Sequence, residues 1–166
     1  MTKKKNVSQE YSEARHAITF KSPERMSILT SLKDINEQDK DGETLLWEAV
    51  HMNDVDVVKY LLENGANPNT QEKEGWTPLH LCAQNYSVEC ARLLLDYGAD
   101  CEIKNVYGNN VINTAAFYSR NRGEIIRLLL AHGANPRNKN NNGISALDLA
   151  EMIANYDVKQ FFMDYL

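Results

Sequence analysis

The side chains able to act as nucleophiles, acid–base groups or soft metal ligands are three cysteines and four histidines. They are Cys82, Cys90, Cys101, His16, His51, His80 and His132. Zinc sites and thiol redox centres need such residues at short, fixed spacings, and the chain has no Cys-x-x-Cys, no His-Glu-x-x-His and no glycine-rich phosphate loop. The pattern therefore predicts no catalytic residue, no metal site and no cofactor. An enzyme that uses Cys101 or a histidine is kept only as a remote alternative.

The surroundings of the cysteines predict structural roles and a reducing compartment. Cys82 and Cys90 lie within apolar segments, where a thiol acts as a small core residue. Cys101 follows Gly98 in a polar loop, and we expect it to be partly exposed. An odd number of cysteines does not make a disulfide framework, and no apolar segment follows Lys3–Lys5 as it does in a signal peptide. We expect a cytoplasmic protein.

Composition and charge exclude several classes of function. The chain has 166 residues, of which 43% are hydrophobic, and its apolar stretches are too short to predict a membrane-spanning helix. Residues 34–102 carry four Lys/Arg against fifteen Asp/Glu, whereas residues 103–147 carry six against one. Such alternating blocks do not make the continuous basic face of a nucleic-acid-binding protein. They favour a protein partner, with a basic surface where it meets the acidic block.

The elements that position these side chains follow from an internal repeat. Four related segments begin with a glycine, at spacings of 33, 33 and 35 residues: Gly42, Gly75, Gly108 and Gly143. A Gly-Ala pair recurs with the same period, at Gly65, Gly98 and Gly133, and each pair follows an apolar run. Two markers that share one period over most of the chain indicate a repeat architecture.

Each unit predicts two helices and an extended loop. In the second unit, Thr77 suits a helix N-cap and Pro78 the first helical position. The following helix carries apolar residues at helical spacing, among them Leu94, and Gly98 suits its C-terminal end. One such unit does not bury its apolar face alone, whereas stacked copies do. The sequence therefore predicts a solenoid.

The run from Thr77 to Ala83, the leucine runs and the Gly-Ala pairs resemble the ankyrin-repeat family over about residues 34–166. The resemblance implies an all-α ankyrin-repeat solenoid: stacked helix-turn-helix units with β-hairpin-like turns, about four to five helix pairs including divergent caps. It also implies that Thr77 and His80 hydrogen-bond within and between repeats. Only the second unit has this pair, so the resemblance gives no basis for such bonds elsewhere.

The repeat period sets the expected boundaries. Residues 1–9 are predicted to be a mobile basic tail, and residues 10–166 a single domain that is monomeric alone. Within it we expect an N-terminal cap pair at 10–38, repeat 1 at 39–71 and repeat 2 at 72–104. Repeat 3 follows at 105–139, and a C-terminal capping repeat at 140–166.

Partners of ankyrin-like proteins contact the turn tips and the exposed side of the first helices, which indicates the site by position. The predicted partner-binding residues are Asp41, Glu43, His51, Met52, Lys73, Glu74, Trp76, Gln84, Asn85, Tyr107, Asn109, Phe117 and Tyr118. Large aromatic side chains at such positions are typical of interface anchors. For Phe117 and Tyr118 an alternative stays open, in which both pack under the longer inter-helix loop of repeat 3.

These inferences predict a non-enzymatic protein–protein binding module. With no second domain expected, our first interpretation is a protein that occludes or inhibits its partner through its concave face, as inhibitor-type and immunity-type proteins do. The alternative is a scaffold that bridges two proteins through its acidic and basic segments. Stoichiometry separates the two hypotheses, because an inhibitor forms a binary complex and a scaffold a ternary one. Neither hypothesis involves a cofactor, nucleic acid or a membrane.

Overall fold

The computed structural model describes residues 7–153 and 157–165, which form helices joined by short turns. The α-helices in this part of the chain are α1 (Gln9–Thr19), α2 (Arg25–Leu29), α3 (Leu45–His51), α4 (Val55–Glu63), α5 (Pro78–Asn85), α6 (Val88–Asp96), α7 (Val111–Tyr118), α8 (Glu124–Ala131) and α9 (Ala146–Met152). A 3-10 helix follows at Val158–Tyr165, where we expected a second capping helix. The prediction of an all-helical solenoid is confirmed: the described residues contain no strand.

The first helix begins earlier than expected. Residues 1–6 of the predicted tail lie outside the described residues, but α1 starts at Gln9 with Ser8 as its N-cap. The Ser8 main-chain N–H and hydroxyl both donate to the Glu37 carboxylate, at 2.6 and 2.5 Å. Val7 packs against the hydrophobic core. Residues 7–9 therefore belong to the N-terminal cap and not to a tail.

One capping arrangement starts the first helix of every repeat. The side chains of Thr44, Thr77, Asn110 and Ser145 each accept a hydrogen bond from the main-chain N–H three residues later. These oxygens satisfy donors that a helix leaves unpaired at its N-terminus. The second helices of repeats 1 to 3 each end two residues before a Gly-Ala pair, whose glycine has a φ of +83° to +88°. The glycine period therefore predicts where the helix pairs stop, because L side chains are strained at such φ values.

The helix pairs stack in two layers. Helices α3, α5, α7 and α9 pack side by side, and α4, α6 and α8 form a second row behind them. Helix α1 extends the first row at one end, and the 3-10 helix packs on α9 at the other. The core runs continuously between the rows through fully buried side chains such as Leu61, Leu94 and Leu129.

The turns between repeats are held by side chains at one repeated position. A side-chain oxygen of Asp39, Glu72, Asn105 or Asn140 accepts two main-chain N–H groups of its own turn. Main-chain bonds then join neighbouring turns, as between the Val106 N–H and the Glu74 carbonyl at 2.9 Å. We call residues 40–42, 73–75, 106–108 and 141–143 the turn tips. The side of the molecule formed by the turn tips and helices α3, α5, α7 and α9 is the inner face.

Hydrogen bonds between repeats extend further than the sequence predicted. Asn36 and Asn69, 33 residues apart, each donate to the carbonyl of a helix-ending glycine one repeat later, Gly65 and Gly98, at 3.1 Å. Their Oδ1 atoms accept main-chain N–H groups of the same loops. Glu102 takes this role in the next repeat, where Oε1 accepts the main-chain N–H of Asn135. The outer edge of the stack is therefore linked over successive repeats.

Candidate functional site

A groove of about 340 Å³ lies on the inner face of repeats 2, 3 and the capping repeat. The turn tips and helices α7 and α9 form its walls. The lining residues are Trp76, Tyr107, Asn109, Asn113, Thr114, Phe117, Tyr118, Asn140, Asn142, Ile144 and Leu149. Its volume falls at the lower end of the range for ligand pockets. The structure thus brings five of the predicted partner-binding residues together.

Aromatic side chains dominate one part of the groove. Phe117 is 60% exposed and Tyr107 is 55% exposed, although both are large apolar groups. The Phe117 ring meets the Tyr118 ring edge-on, with centroids 5.0 Å apart, and the Gln84 amide donates to the Tyr118 hydroxyl. The exposure of Phe117 contradicts the alternative in which it packs under the loop of repeat 3. Aromatic residues are enriched in the cores of protein–protein interfaces, and exposed apolar clusters often mark interaction sites.

Trp76 has a mixed role at the edge of the same groove. Its side chain is half-buried, and the centroid of its ring lies 5.7 Å from that of the buried His80 ring. The His80 Nδ1 accepts from the main-chain N–H of Thr77, which leaves Nε2 to donate to the main-chain oxygen of Asn109 at 3.1 Å. Burial lowers the pKa of His80 to about 4, so the ring is neutral at pH 7.

Asn113 replaces this histidine in repeat 3 and still links two repeats. Its Nδ2 donates to the main-chain oxygen of Ile144 at 3.2 Å, as His80 does to Asn109. The link from a first helix to the turn of the next repeat therefore continues beyond repeat 2, because an amide N–H can take the place of the imidazole N–H. The Oδ1 of Asn113 is buried and accepts no hydrogen bond within the described part of the chain.

Several carboxylates of the acidic block form ion pairs within the chain. Arg15 of the N-terminal cap forms ion pairs with Asp39, Glu43 and Glu48, at 2.5, 2.6 and 3.2 Å. Glu43 is therefore part of an internal network. A hydrogen bond from Lys73 lowers the pKa of Asp41, and the two side chains form an ion pair. Sequence reasoning missed this because Arg15 lies in the cap, outside the repeat pattern.

The other predicted site residues lie outside the groove. His51 and Asn85 are exposed near the ends of α3 and α5, and Met52 is half-buried against the core. Lys73 and Glu74 are exposed on the second turn tip. The predicted set also lacks six groove residues, namely Asn113, Thr114, Asn140, Asn142, Ile144 and Leu149. The repeat alignment carried a signal for Asn113, which occupies the position of His80.

The residues considered for catalysis do not assemble into a centre. Cys82, Cys90 and Cys101 are all buried, so the expectation that Cys101 is partly exposed is wrong. Burial raises the pKa values of Cys90 and Cys101 to about 11, which keeps these thiols protonated at neutral pH. Within residues 7–153 and 157–165, no group of three or more His, Cys, Asp or Glu residues is placed to hold a metal ion. No helix in these ranges is long and apolar enough to cross a membrane.

Stacked helix pairs with linked turns and a groove on one side define a helical solenoid. Sequence comparison identifies the kind of solenoid. A family model described as ankyrin repeats (3 copies) matches residues 15–105, and one described as ankyrin repeats (many copies) matches residues 94–150. The chain belongs to the ankyrin-repeat family, whose repeats mediate binding to other proteins.

Several relatives share the repeats within much longer proteins. The chain is 33% identical over 121 residues to the human transient receptor potential cation channel subfamily A member 1, covering 72% of this chain and 11% of the channel. An ankyrin repeat protein of Acanthamoeba polyphaga mimivirus is 37% identical over 137 residues, with coverage of 69% and 24%. One from Rickettsia felis is 43% identical over 86 residues, with coverage of 45% and 37%. The chain therefore spans well under half the length of each of these relatives.

Proposed function

We propose that this chain is a non-enzymatic protein-binding module that occludes a protein partner through the groove on its inner face, in the cytoplasm. The single observation that carries the proposal is the cluster of Tyr107, Phe117 and Tyr118 beside Trp76. Exposing such side chains to water costs free energy that a partner surface recovers when it covers them. Aromatic residues in a partly enclosed groove are also the residues that most often anchor interfaces.

The rest of the inner face supports a recognition role. The groove lies where two turn tips and two helices meet, so its walls come from elements that main-chain and side-chain hydrogen bonds hold in place. A pre-formed site lowers the ordering cost of association. The buried, protonated thiols and the neutral, internally bonded His80 give no support to the remote alternative of an enzyme.

Lysines distributed over the surface allow a direct test. Lys73 is exposed on the second turn tip, and Lys104 and Lys139 are exposed two residues before the third and fourth turn tips. Lys59 is exposed on α4, behind the inner face. The partner captured with this chain should be cross-linked through lysine-reactive reagents and the linked peptides identified by mass spectrometry. The proposal expects links from Lys73, Lys104 and Lys139 and few from Lys59. Links confined to Lys59 contradict it.

Occlusion is distinguished from bridging by the mass of the complex. We expect light scattering to give a binary complex, and the partner's own activity to fall as that complex forms. A ternary complex in which two different proteins bind this chain at once, with both activities intact, contradicts occlusion. It would indicate the scaffold alternative.

A further inference from the structure

One asparagine on the wall of the groove is followed by a glycine, which opens it to a chemical change that its neighbours resist. Asn142 lines the groove and precedes Gly143. The side-chain carbonyl carbon of an asparagine lies within reach of the next main-chain nitrogen, and a glycine there has no Cβ to hinder the approach. The other asparagines of the lining precede asparagine or threonine, whose side chains shield that nitrogen.

A second Asn-Gly pair, Asn64-Gly65, provides an internal comparison. Both asparagines are exposed. Both glycine N–H groups donate to the main-chain oxygen three residues earlier, at 3.0 Å for Gly143 and 3.1 Å for Gly65. The space where a Cβ would lie is open at both glycines. The two pairs are therefore alike on the glycine side.

The two asparagine side chains differ in how they are held. The Asn64 Nδ2 donates to the main-chain oxygen of Tyr60 at 2.8 Å, so this amide is fixed against the end of α4. Within residues 7–153 and 157–165, the Asn142 side chain forms no hydrogen bond, while its main-chain N–H donates to Asn140 Oδ1 at 2.9 Å. The Asn142 amide can therefore turn toward the Gly143 nitrogen, whereas Asn64 must first give up a hydrogen bond.

We propose that Asn142 is a site of spontaneous modification, at which the folded chain converts an amide of the groove into a carboxylate. The Gly143 nitrogen leaves the Asn140 carbonyl and attacks Asn142 Cγ, which closes a succinimide ring. The Cγ–Nδ2 bond breaks, and the amide nitrogen leaves as ammonia with the proton of the Gly143 N–H. Water then adds to either carbonyl of the ring and opens it, giving aspartate or isoaspartate.

The conversion changes the electrostatics of the groove. Among the described residues that line it there is no Asp, Glu, Lys, Arg or His. A carboxylate in place of the Asn142 amide therefore brings the first charged side chain to this lining. The isoaspartate product also lengthens the main chain of the fourth turn tip by a methylene group. The modification site is independent of the proposed function, whereas its effect on binding rests on that function.

Ageing of the purified whole chain at mildly alkaline pH, followed by tryptic peptide mapping, tests the site. Asn142 and Asn64 fall in different tryptic peptides, so the mass gain of each conversion is measured separately. In the folded chain we expect Asn142 to convert at least about fivefold faster than Asn64, the factor that corresponds to one net hydrogen bond. In guanidinium chloride the two rates should become similar, because both pairs are Asn-Gly. Equal rates in the folded chain, or faster conversion of Asn64, overturn the inference.

Asn142→Gln is the matched control. Its amide stands one methylene group further from the main chain, so closure of the corresponding ring on Gly143 is much slower. We expect this variant to lose the conversion in its own peptide and to keep the native rate at Asn64. Conversion of that peptide at the native rate would place the reaction at another residue and contradict the assignment to Asn142.

Binding of the native partner before and after conversion separates the modification site from the proposed function. If the partner covers the groove, the added carboxylate alters the dependence of its affinity on salt concentration, and aged Asn142→Gln shows no such change. An unchanged salt dependence after confirmed conversion counts against the groove as the binding surface and leaves the modification site standing. Absence of conversion at Asn142 overturns the modification site and leaves the proposed function standing.

Discussion

The Nε2 atom of His80 lies 3.1 Å from the main-chain oxygen of Asn109, so the first helix of one repeat is bonded to the turn of the next. The same ring accepts the main-chain N–H of Thr77 through Nδ1. This geometry requires the neutral ring, because a protonated Nδ1 has no lone pair to offer Thr77. Stability and protonation are therefore coupled at His80.

The neutral state of His80 predicts a defined pH dependence. Its pKa in the folded chain is about 4, against 6.5 for the ordinary side chain. Between these values the unfolded chain binds the proton more readily, so the free energy of unfolding falls as the pH is lowered from 6.5 towards 4. The contribution of His80 is complete above pH 6.5, and its loss is on the order of 3 kcal/mol.

Urea titrations at successive pH values measure this dependence. His80→Asn is the matched variant, because Asn113 shows that an asparagine can make the same link in repeat 3. We expect the variant to lose stability less steeply between pH 6.5 and 4 than the native chain. If the free energy of unfolding depended on pH equally in the two proteins, His80 would not be the group that titrates.

Arg15 should be important for holding the N-terminal cap on repeat 1. Its guanidinium pairs with Asp39, Glu43 and Glu48, and the Glu48 side chain is only 8% exposed. Arg15→Ala leaves these carboxylates close together without a counter-charge, so we expect a loss of about 2 kcal/mol in the free energy of unfolding. Hydrogen exchange should rise first in α1. Lys33→Ala, which removes an exposed ion pair to Glu10, is the control and should have no measurable effect.

Leu94 tests the continuous core between the two helix rows. It is completely buried in α6, whereas its neighbour Leu93 is half-buried. Leu94→Ala removes buried methyl groups and leaves a cavity, at an expected cost of about 2–5 kcal/mol in chemical denaturation. Leu93→Ala should cost clearly less. Equal losses would mean that the two side chains contribute alike to the core.

The loop of repeat 3 contains a backbone conformation that the sequence does not favour. Arg120 has a φ of +46°, which L side chains other than asparagine and aspartate rarely adopt. Arg120→Gly relieves this strain, and we expect thermal denaturation to show a gain of up to about 1 kcal/mol. Arg122→Gly is the comparison, because the Arg122 guanidinium lies 3.8 Å from the centre of the Tyr86 ring. Arg122→Gly should destabilise the protein. A gain in stability from both substitutions would contradict the assignment of the backbone strain to Arg120.

The sequence predicted the helix pairs because their signals are local. A capping side chain such as Thr77 fixes the start of a first helix, and a glycine just after a second helix fixes its end. Both signals affect only residues within a few positions of themselves. The links between repeats join residues about 30 positions apart, and different side chains make them. Asn36 and Asn69 are the same residue type and lie one repeat period apart, so the sequence pattern relates them. Glu102 and Asn113 also link repeats, but with side chains that the repeat pattern does not predict.

The positions of the aromatic residues of the candidate site could be predicted from the sequence, but the charge of the site could not. Trp76, Tyr107 and Phe117 stand out as large aromatics at turn and first-helix positions, and the structure places all three on the groove. The charge of the site was misjudged, since counting Glu43 as a surface charge ignores Arg15. Net charge along a sequence does not reveal which carboxylates are neutralised by a distant residue, because ion pairs depend on the folded arrangement.

The central claim is that a protein partner binds the aromatic groove on the inner face, and titration calorimetry with that partner tests it most directly. We expect Phe117→Ala and Trp76→Ala each to weaken the complex by at least about tenfold, since truncating a central anchor commonly costs about 2 kcal/mol. The effect of Phe117→Ala on affinity is easier to interpret, because Trp76 also packs near His80 and its truncation can alter the fold. Arg92→Glu, on the outer side, should leave the affinity unchanged. Native affinity in both aromatic variants together with disruption by Arg92→Glu would contradict the account.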